Sequence, residues 1–171
     1  MRNLLILILF ITTQITYAQS NQGLNRDIEI DSTTAIFYYN RGCDRMDLED
    51  SEGALQDFTK AISFNPNFGN AYYNRGSVNN DLENFYAAIL DYNRAIELKP
   101  NDSIYYYYYY YSRGSAKDGL EDLDGAISDY TKAIELNPND GSAYYARGIS
   151  KGKLKDLNGA ISDYTKAIEL N

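Results

Sequence analysis

Histidine and tryptophan are both missing from this chain of 171 residues, cysteine occurs once and proline three times. Without histidine the commonest general base and the commonest metal ligand are gone together. The single cysteine, Cys43, excludes an internal disulfide; it leaves an intermolecular bridge or a small packing residue as its two uses. A basic surplus is missing as well, since 16 Lys and Arg face 24 Asp and Glu for a net charge of −8. That balance opposes binding to nucleic acid and non-specific attachment to an anionic membrane. The sequence also has no nucleophile elbow, phosphate loop or paired-cysteine metal site. The expectation is therefore no enzyme, no metal and no cofactor.

What the chain does have is tyrosine, 18 of them, and a period. Tyr-x-x-Arg-Gly recurs at Tyr38–Gly42, Tyr72–Gly76, Tyr110–Gly114 and Tyr144–Gly148, with glycine spacings of 34, 38 and 34 residues. Twelve residues after each glycine stands Ala54, Ala88, Ala126 or Ala160, and 16 after it Phe58, Tyr92, Tyr130 or Tyr164. Nineteen after it come Ala61, Ala95, Ala133 and Ala167; Pro66, Pro100 and Pro138 follow at 24. In Gly125–Leu136 the apolar residues Ala126, Ile127, Tyr130, Ala133 and Ile134 fall on one helical face. Each proline ends a helix, and Asp102 and Asp140 then stand as N-caps of the next one. A unit of this size cannot bury its apolar face alone and must stack on its neighbours. Each arginine of the motif also has an aspartate 16 residues on (Arg41–Asp57, Arg75–Asp91, Arg113–Asp129, Arg147–Asp163), a spacing that suits ion pairs between the two helices of a unit or with the adjacent unit.

These positions resemble the signature of the tetratricopeptide repeat, a helix–turn–helix unit, over about residues 35–171. One departure is systematic: the family's leucine before the glycine is here Arg41, Arg75, Arg113 or Arg147. The resemblance implies an all-α solenoid of four antiparallel helix pairs, forming a short right-handed superhelix. Repeats are expected at about 35–68, 69–102, 103–140 and 141–171, the third with a four-residue insertion and the fourth without its final proline. The resemblance also implies a concave groove lined by the first helices, and a protein or peptide partner within it. The residue after the first signature aromatic faces that groove: Tyr39, Tyr73, Tyr111 and Tyr145. Such a ladder of rings suits a peptide or a sugar face, or packs on itself between units. The next position holds Asn40 and Asn74, which the resemblance assigns to a peptide backbone, then Ser112 and Ala146. Cys43, Ser77, Ser115 and Ile149 occupy places where chaperone-binding relatives clamp a C-terminal carboxylate, so that function is not expected.

The third unit contains Tyr105 to Tyr111, seven tyrosines in succession. Four extra residues are about one helical turn, so the first helix can lengthen in phase. Its rings then point all round the helix, as an aromatic binding patch or a tolerated expansion. Acids such as Asp44, Asp47, Glu49 and Asp50, or Glu121, Asp122 and Asp124, read as solvated turns and helix N-terminal charges, not as a calcium loop.

At the start, Arg2 and the apolar run Leu4–Ile11 precede small residues, with a cut expected after Ala18. Residues 1–18 read as a secretory signal and 19–34 as a flexible polar leader, so the protein is expected to be exported, periplasmic or secreted, with no stable membrane insertion after cleavage. The sequence stops inside the fourth unit's final turn, which leaves Ala160, Ile161, Tyr164, Ala167 and Ile168 without a following helix. Self-association into a homo-oligomer, a frayed end or a longer natural chain would each account for that.

Overall fold

The computed structural model describes residues 31–98 and 103–170, the side chains of 103 and 104 excepted. The expected signal segment, the cut after Ala18, the leader up to residue 30, Pro100 and the Asp102 cap lie outside the described residues. Every described element is a helix: α1 (31–47), α2 (Ser51–Phe64), α3 (Gly69–Asp81), α4 (Phe85–Glu97), α5 (Ser103–Gly119), α6 (Leu123–Leu136), α7 (Gly141–Lys153) and α8 (Leu157–Leu170). No described helix is long and apolar enough to cross a membrane. Helix α1 is already formed at residue 31, so the last four residues of the expected 19–34 leader belong to it.

The period of the sequence becomes a repeated contact. A Cβ built on Gly42 would stand 2.7 Å from the Phe58 ring; on Gly76, Gly114 and Gly148 it would stand 2.9, 2.9 and 2.8 Å from Tyr92, Tyr130 and Tyr164. Only glycine lets the second helix lay its ring flat against the first, which is why the two residues recur 16 apart. The alanines at the other two offsets are buried in all four pairs, as are Phe58, Tyr92 and Tyr130. Tyr164, on the last described helix, is only half-buried.

Between the helices of each pair the chain turns through one left-handed residue, Glu49, Glu83, Glu121 or Lys155, with φ from 60° to 66°. Asp50, Asp122 and Asp156 then accept from Gly53 N, Gly125 N and Gly159 N at 3.0–3.1 Å, which satisfies open N–H groups at the start of the second helix. One aspartate in each of these three turns is thus a capping residue. Asp140 caps α7 as expected, accepting from Ser142 N at 2.8 Å.

From α2 onward each helix packs on its chain neighbours, and in addition α3 touches α5 and α5 touches α7. No such contact joins α2 with α4, α4 with α6 or α6 with α8. The array therefore bends toward its first helices, and α3, α5 and α7 share the inner side.

The four expected arginine–aspartate pairs all form, each two-pronged. Nε and Nη2 of Arg41, Arg75, Arg113 and Arg147 donate to the carboxylates of Asp57, Asp91, Asp129 and Asp163 at 2.6–2.9 Å. The aspartates are buried, and three take a second cation: Arg45 on Asp57 at 3.1 Å, Lys117 on Asp129 and Lys151 on Asp163 at 2.8 Å. The third nitrogen, Nη1, reaches across to the preceding pair, from Arg75 to Thr59, Arg113 to Asn93 and Arg147 to Thr131. The guanidinium of Arg75, Arg113 or Arg147 thus ties together three helices: the ion pair lies within the unit, and the reach to the preceding unit is a hydrogen bond to a neutral side chain.

The Arg41 hydrogen bonds hold the Asp57 carboxyl below the usual carboxylate range. Burial would raise Asp163, but the Arg147 and Lys151 hydrogen bonds outweigh it and lower it too. Groups with a depressed folded pKa contribute stability that is fully present above the unfolded value, about 3.9, and lost as pH falls through the folded value. With no histidine in the chain, urea unfolding is expected to show little loss from pH 7 to pH 5 and a steep one below about pH 4. A major loss between pH 7 and pH 5 would contradict these pairings.

Candidate functional site

The inner side carries a row of rings, and each is held by a ring behind it. Tyr39 packs on Phe58 and Phe68 at centroid distances of 5.9 and 4.8 Å, and Tyr73 on Tyr92 and Tyr109 at 5.8 and 5.0 Å. Tyr111 lies 5.6 Å from Tyr130 and 6.0 Å from Tyr107, and Tyr145 lies 5.7 Å from Tyr164. The first three are half-buried; Tyr145 is exposed. The ladder thus packs on aromatics of its own pair, at Tyr39 also on Phe68 just before α3, and at Tyr73 on Tyr109 of the next pair.

The six residues singled out from the sequence do not form one site. Tyr39, Tyr73 and Asn74 meet Asn70, Tyr105 and Tyr108 around a cavity of about 310 Å³. Tyr111 and Tyr145 line a second cavity of about 740 Å³ with Gly141, Ser142, Tyr164, Ala167 and Ile168. Asn40 is exposed on α1 and lines neither of these two.

Helix α5 makes the difference. It has 17 residues where α3 and α7 have 13, and the extra turn lies at its start. Phase is kept, because Gly114 still meets the Tyr130 ring. Of the seven tyrosines, Tyr107 and Tyr109 are buried, Tyr105 and Tyr108 exposed, and the other three intermediate. The buried two are anchored through their hydroxyls. Tyr107 donates to Asp140 at 2.7 Å and Tyr109 to Asn70 Oδ1 at 3.0 Å. Tyr105 and Tyr108 remain over the first cavity. The run is therefore half structural and half surface.

The floor of that cavity is a small polar network. Asn74 Nδ2 donates to Tyr39 Oη at 3.2 Å and to Cys43 Sγ at 3.4 Å. Burial, then the neighbouring Cys43, pushes the Tyr39 phenol up to about 12, so it stays neutral. Cys43 is half-buried against Ala54, Phe58 and Val78, which fits its reading as a small packing residue. Tyr73 Oη and Ser112 Oγ are 3.4 Å apart. No group of three or more metal-binding side chains occurs among the described residues.

Asn70 was not expected here, and the run Tyr105–Tyr111 was expected as an aromatic patch or a tolerated expansion without any member singled out. Asn70 sits one turn before Asn74 on α3, so its place on the same face was available as a helical offset. Which of the tyrosines would join it was not, because a run of one residue type has no pattern to read.

Family models of the tetratricopeptide repeat match residues 35–68, 69–102, 107–140 and 129–162. Similar solved structures include a crystal structure of MamA, 26% identical, with a TM-score of 0.75 over 85% of this chain and 83% of that one. MamA from residue 41 to its end, from Desulfovibrio magneticus RS-1, is 27% identical at a TM-score of 0.72, covering 78% of this chain and 73% of that one. The first TPR domain of Spaghetti (RPAP3), bound to the HSP90 peptide SRMEEVD, is 28% identical at a TM-score of 0.68, over 72% of this chain and 95% of that one. No curated protein matches.

Proposed function

The chain belongs to the tetratricopeptide repeat family, and from that premise we propose that it is an exported, non-catalytic scaffold holding an extended peptide or protein segment against its Tyr-lined inner face. The observation that carries this reading is the cavity among Tyr39, Tyr73, Asn74, Asn70, Tyr105 and Tyr108, on the side toward which the array bends. Rings with a wet hydroxyl end and neighbouring amides suit a peptide, which offers apolar side chains and an unpaired backbone together. That the Spaghetti domain binds a peptide supports the class of partner. Export rests on the charged start, short apolar run and small residues of positions 1–18.

A second reading is self-association through α8. Ile161 and Ile168 stand 63% and 77% exposed there, and Ile168 lines the larger cavity. The corresponding face of α6 is covered by α7, with Ile134 buried in a cluster with Ala143.

One experiment separates the two. Peptides selected on the full chain are measured against Asn74→Ala with Tyr108→Ala, and against Ile161→Lys with Ile168→Lys, after helicity has been checked. The first pair is expected to weaken binding tenfold or more and the second to leave it unchanged. Loss only in the isoleucine variants, with a concentration-dependent mass that they abolish, would favour self-association.

A further inference from the structure

The extra turn of α5 converts part of the inner face into a slot with a chemistry of its own. Four rings, Tyr39, Tyr73, Tyr105 and Tyr108, and two amides, Asn70 and Asn74, surround it. In a chain with a net charge of −8, none of the six carries a charge at neutral pH. A charged side chain or a free carboxylate would find no countercharge on this lining and would lose hydration on entering.

The internal hydrogen bonds determine what each amide offers. Asn74 commits both hydrogens of Nδ2, to Tyr39 and Cys43, which leaves Oδ1 as an acceptor. Asn70 commits Oδ1 to the Tyr109 hydroxyl, which leaves Nδ2 as a donor. The two stand four residues apart on α3, on one helical face. The amides of the slot therefore present the Nδ2 hydrogens of Asn70 as donors and Oδ1 of Asn74 as an acceptor, beside a wall of rings. That is the complement of a peptide backbone with a free carbonyl, a free N–H and a compact apolar ring.

We propose that this slot recognises an uncharged, proline-containing segment in the polyproline II conformation, with a pyrrolidine ring between Tyr105 and Tyr108 on one side and Tyr39 and Tyr73 on the other. Proline suits it for three reasons. Its ring is compact and stands close to the backbone, as a cavity of about 310 Å³ favours. A polyproline II backbone has no internal hydrogen bonds, so its carbonyls are free for Asn70. It is also already extended, so little conformational freedom is lost on docking against aromatic rings. The inserted turn supplies one of the four rings, Tyr105, and Tyr108 stands at the offset that Asn70 holds in α3 and Ser142 in α7, so specificity resides in one inserted residue and one residue that differs between units.

This inference rests on the inner face being a peptide site. The test is fluorescence anisotropy on the full chain. The probes are a labelled, end-capped peptide of alternating Ala and Pro, the same peptide with every Pro replaced by Ala, and a hexamer of β-linked glucose as competitor. The proline peptide is expected to bind at least tenfold tighter than its all-alanine counterpart. Tyr105→Ala with Tyr108→Ala should remove at least tenfold of that affinity. Both rings are exposed, so folding should survive, and Tyr86→Ala, exposed on α4, should change nothing. Equal binding of the two peptides, displacement by the glucose hexamer, or indifference to the Tyr105 and Tyr108 changes would each overturn the inference. If library-selected peptides without proline bind and are lost on Asn74→Ala, the inner-face reading stands and the proline inference falls. If no peptide of any composition binds that face, both fall.

Discussion

Asp129→Ala is expected to lower the free energy of unfolding by about 3–5 kcal/mol, the range for breaking a buried ion pair from one side. Asp129 is only 4% exposed and holds Arg113 at 2.6 and 2.8 Å and Lys117 at 2.8 Å. Removing the carboxylate leaves two cations facing each other with 17% and 21% of their side chains in water. It also frees Arg113, whose Nη1 bridges to Asn93 on α4 at 2.6 Å. The effect should therefore spread beyond the α5–α6 pair. Chemical denaturation of Asp129→Ala, Arg113→Ala and the double variant checks this. The losses should be strongly non-additive, because the second change removes a group that the first has already orphaned. Additive losses would mean that the two charges act independently. A change of both residues to apolar ones of similar volume should cost far less than either single loss, since it leaves no buried charge alone.

Tyr92→Ala should cost about as much, roughly 3–5 kcal/mol, for a different reason. The ring is 1% exposed and fills the space over Gly76. It also lies 5.8 Å from Tyr73, and its core cluster joins Ala88 to Ala116 of α5. Its loss opens a cavity at the joint between the second and third pairs. Stacked-repeat stability is a sum of unit terms and nearest-neighbour terms, so weakening a middle joint uncouples the two sides. The expected outcome is both a lower midpoint and a broader or two-step unfolding curve. Tyr164→Ala, at the half-buried equivalent on α8, should cost less and leave cooperativity intact. Equal losses at both positions would contradict the account of the joints.

These effects were legible in the sequence to the extent that they recur. The glycine and the aromatic 16 residues later are a single contact seen four times, and the period exposed it before any coordinates did. The arginine–aspartate pairs were readable in the same way, although the spacing could not say that Nη1 would reach back to Thr59, Asn93 and Thr131. Those acceptors each lie two residues beyond the paired aspartate of the previous unit, a regularity that was present but carried no obvious chemistry. The second cations, Lys117 and Lys151, were missed because the second pair has Asn79 there, which breaks the pattern.

The candidate site was harder, because it lies where the repeat departs from itself. Equal offsets made Tyr39, Tyr73, Tyr111 and Tyr145 look like one ladder. Packing divides them between two cavities, since the longer α5 carries Tyr105 and Tyr108 over α3 and the face of α8 has no counterpart of α7 among the described residues. Only the burial of alternate rings, with Tyr107 tied to Asp140 and Tyr109 to Asn70, shows which members of the tyrosine run face outward.

The measurement that bears most directly on the central claim is an amide chemical-shift titration of the full chain with a peptide selected for binding. The account predicts the largest changes on α1, α3 and the first turns of α5, around Tyr39, Asn70, Tyr73, Asn74 and Tyr108. Changes confined to α4 and α6, or to the Ile161 and Ile168 face of α8, would contradict it.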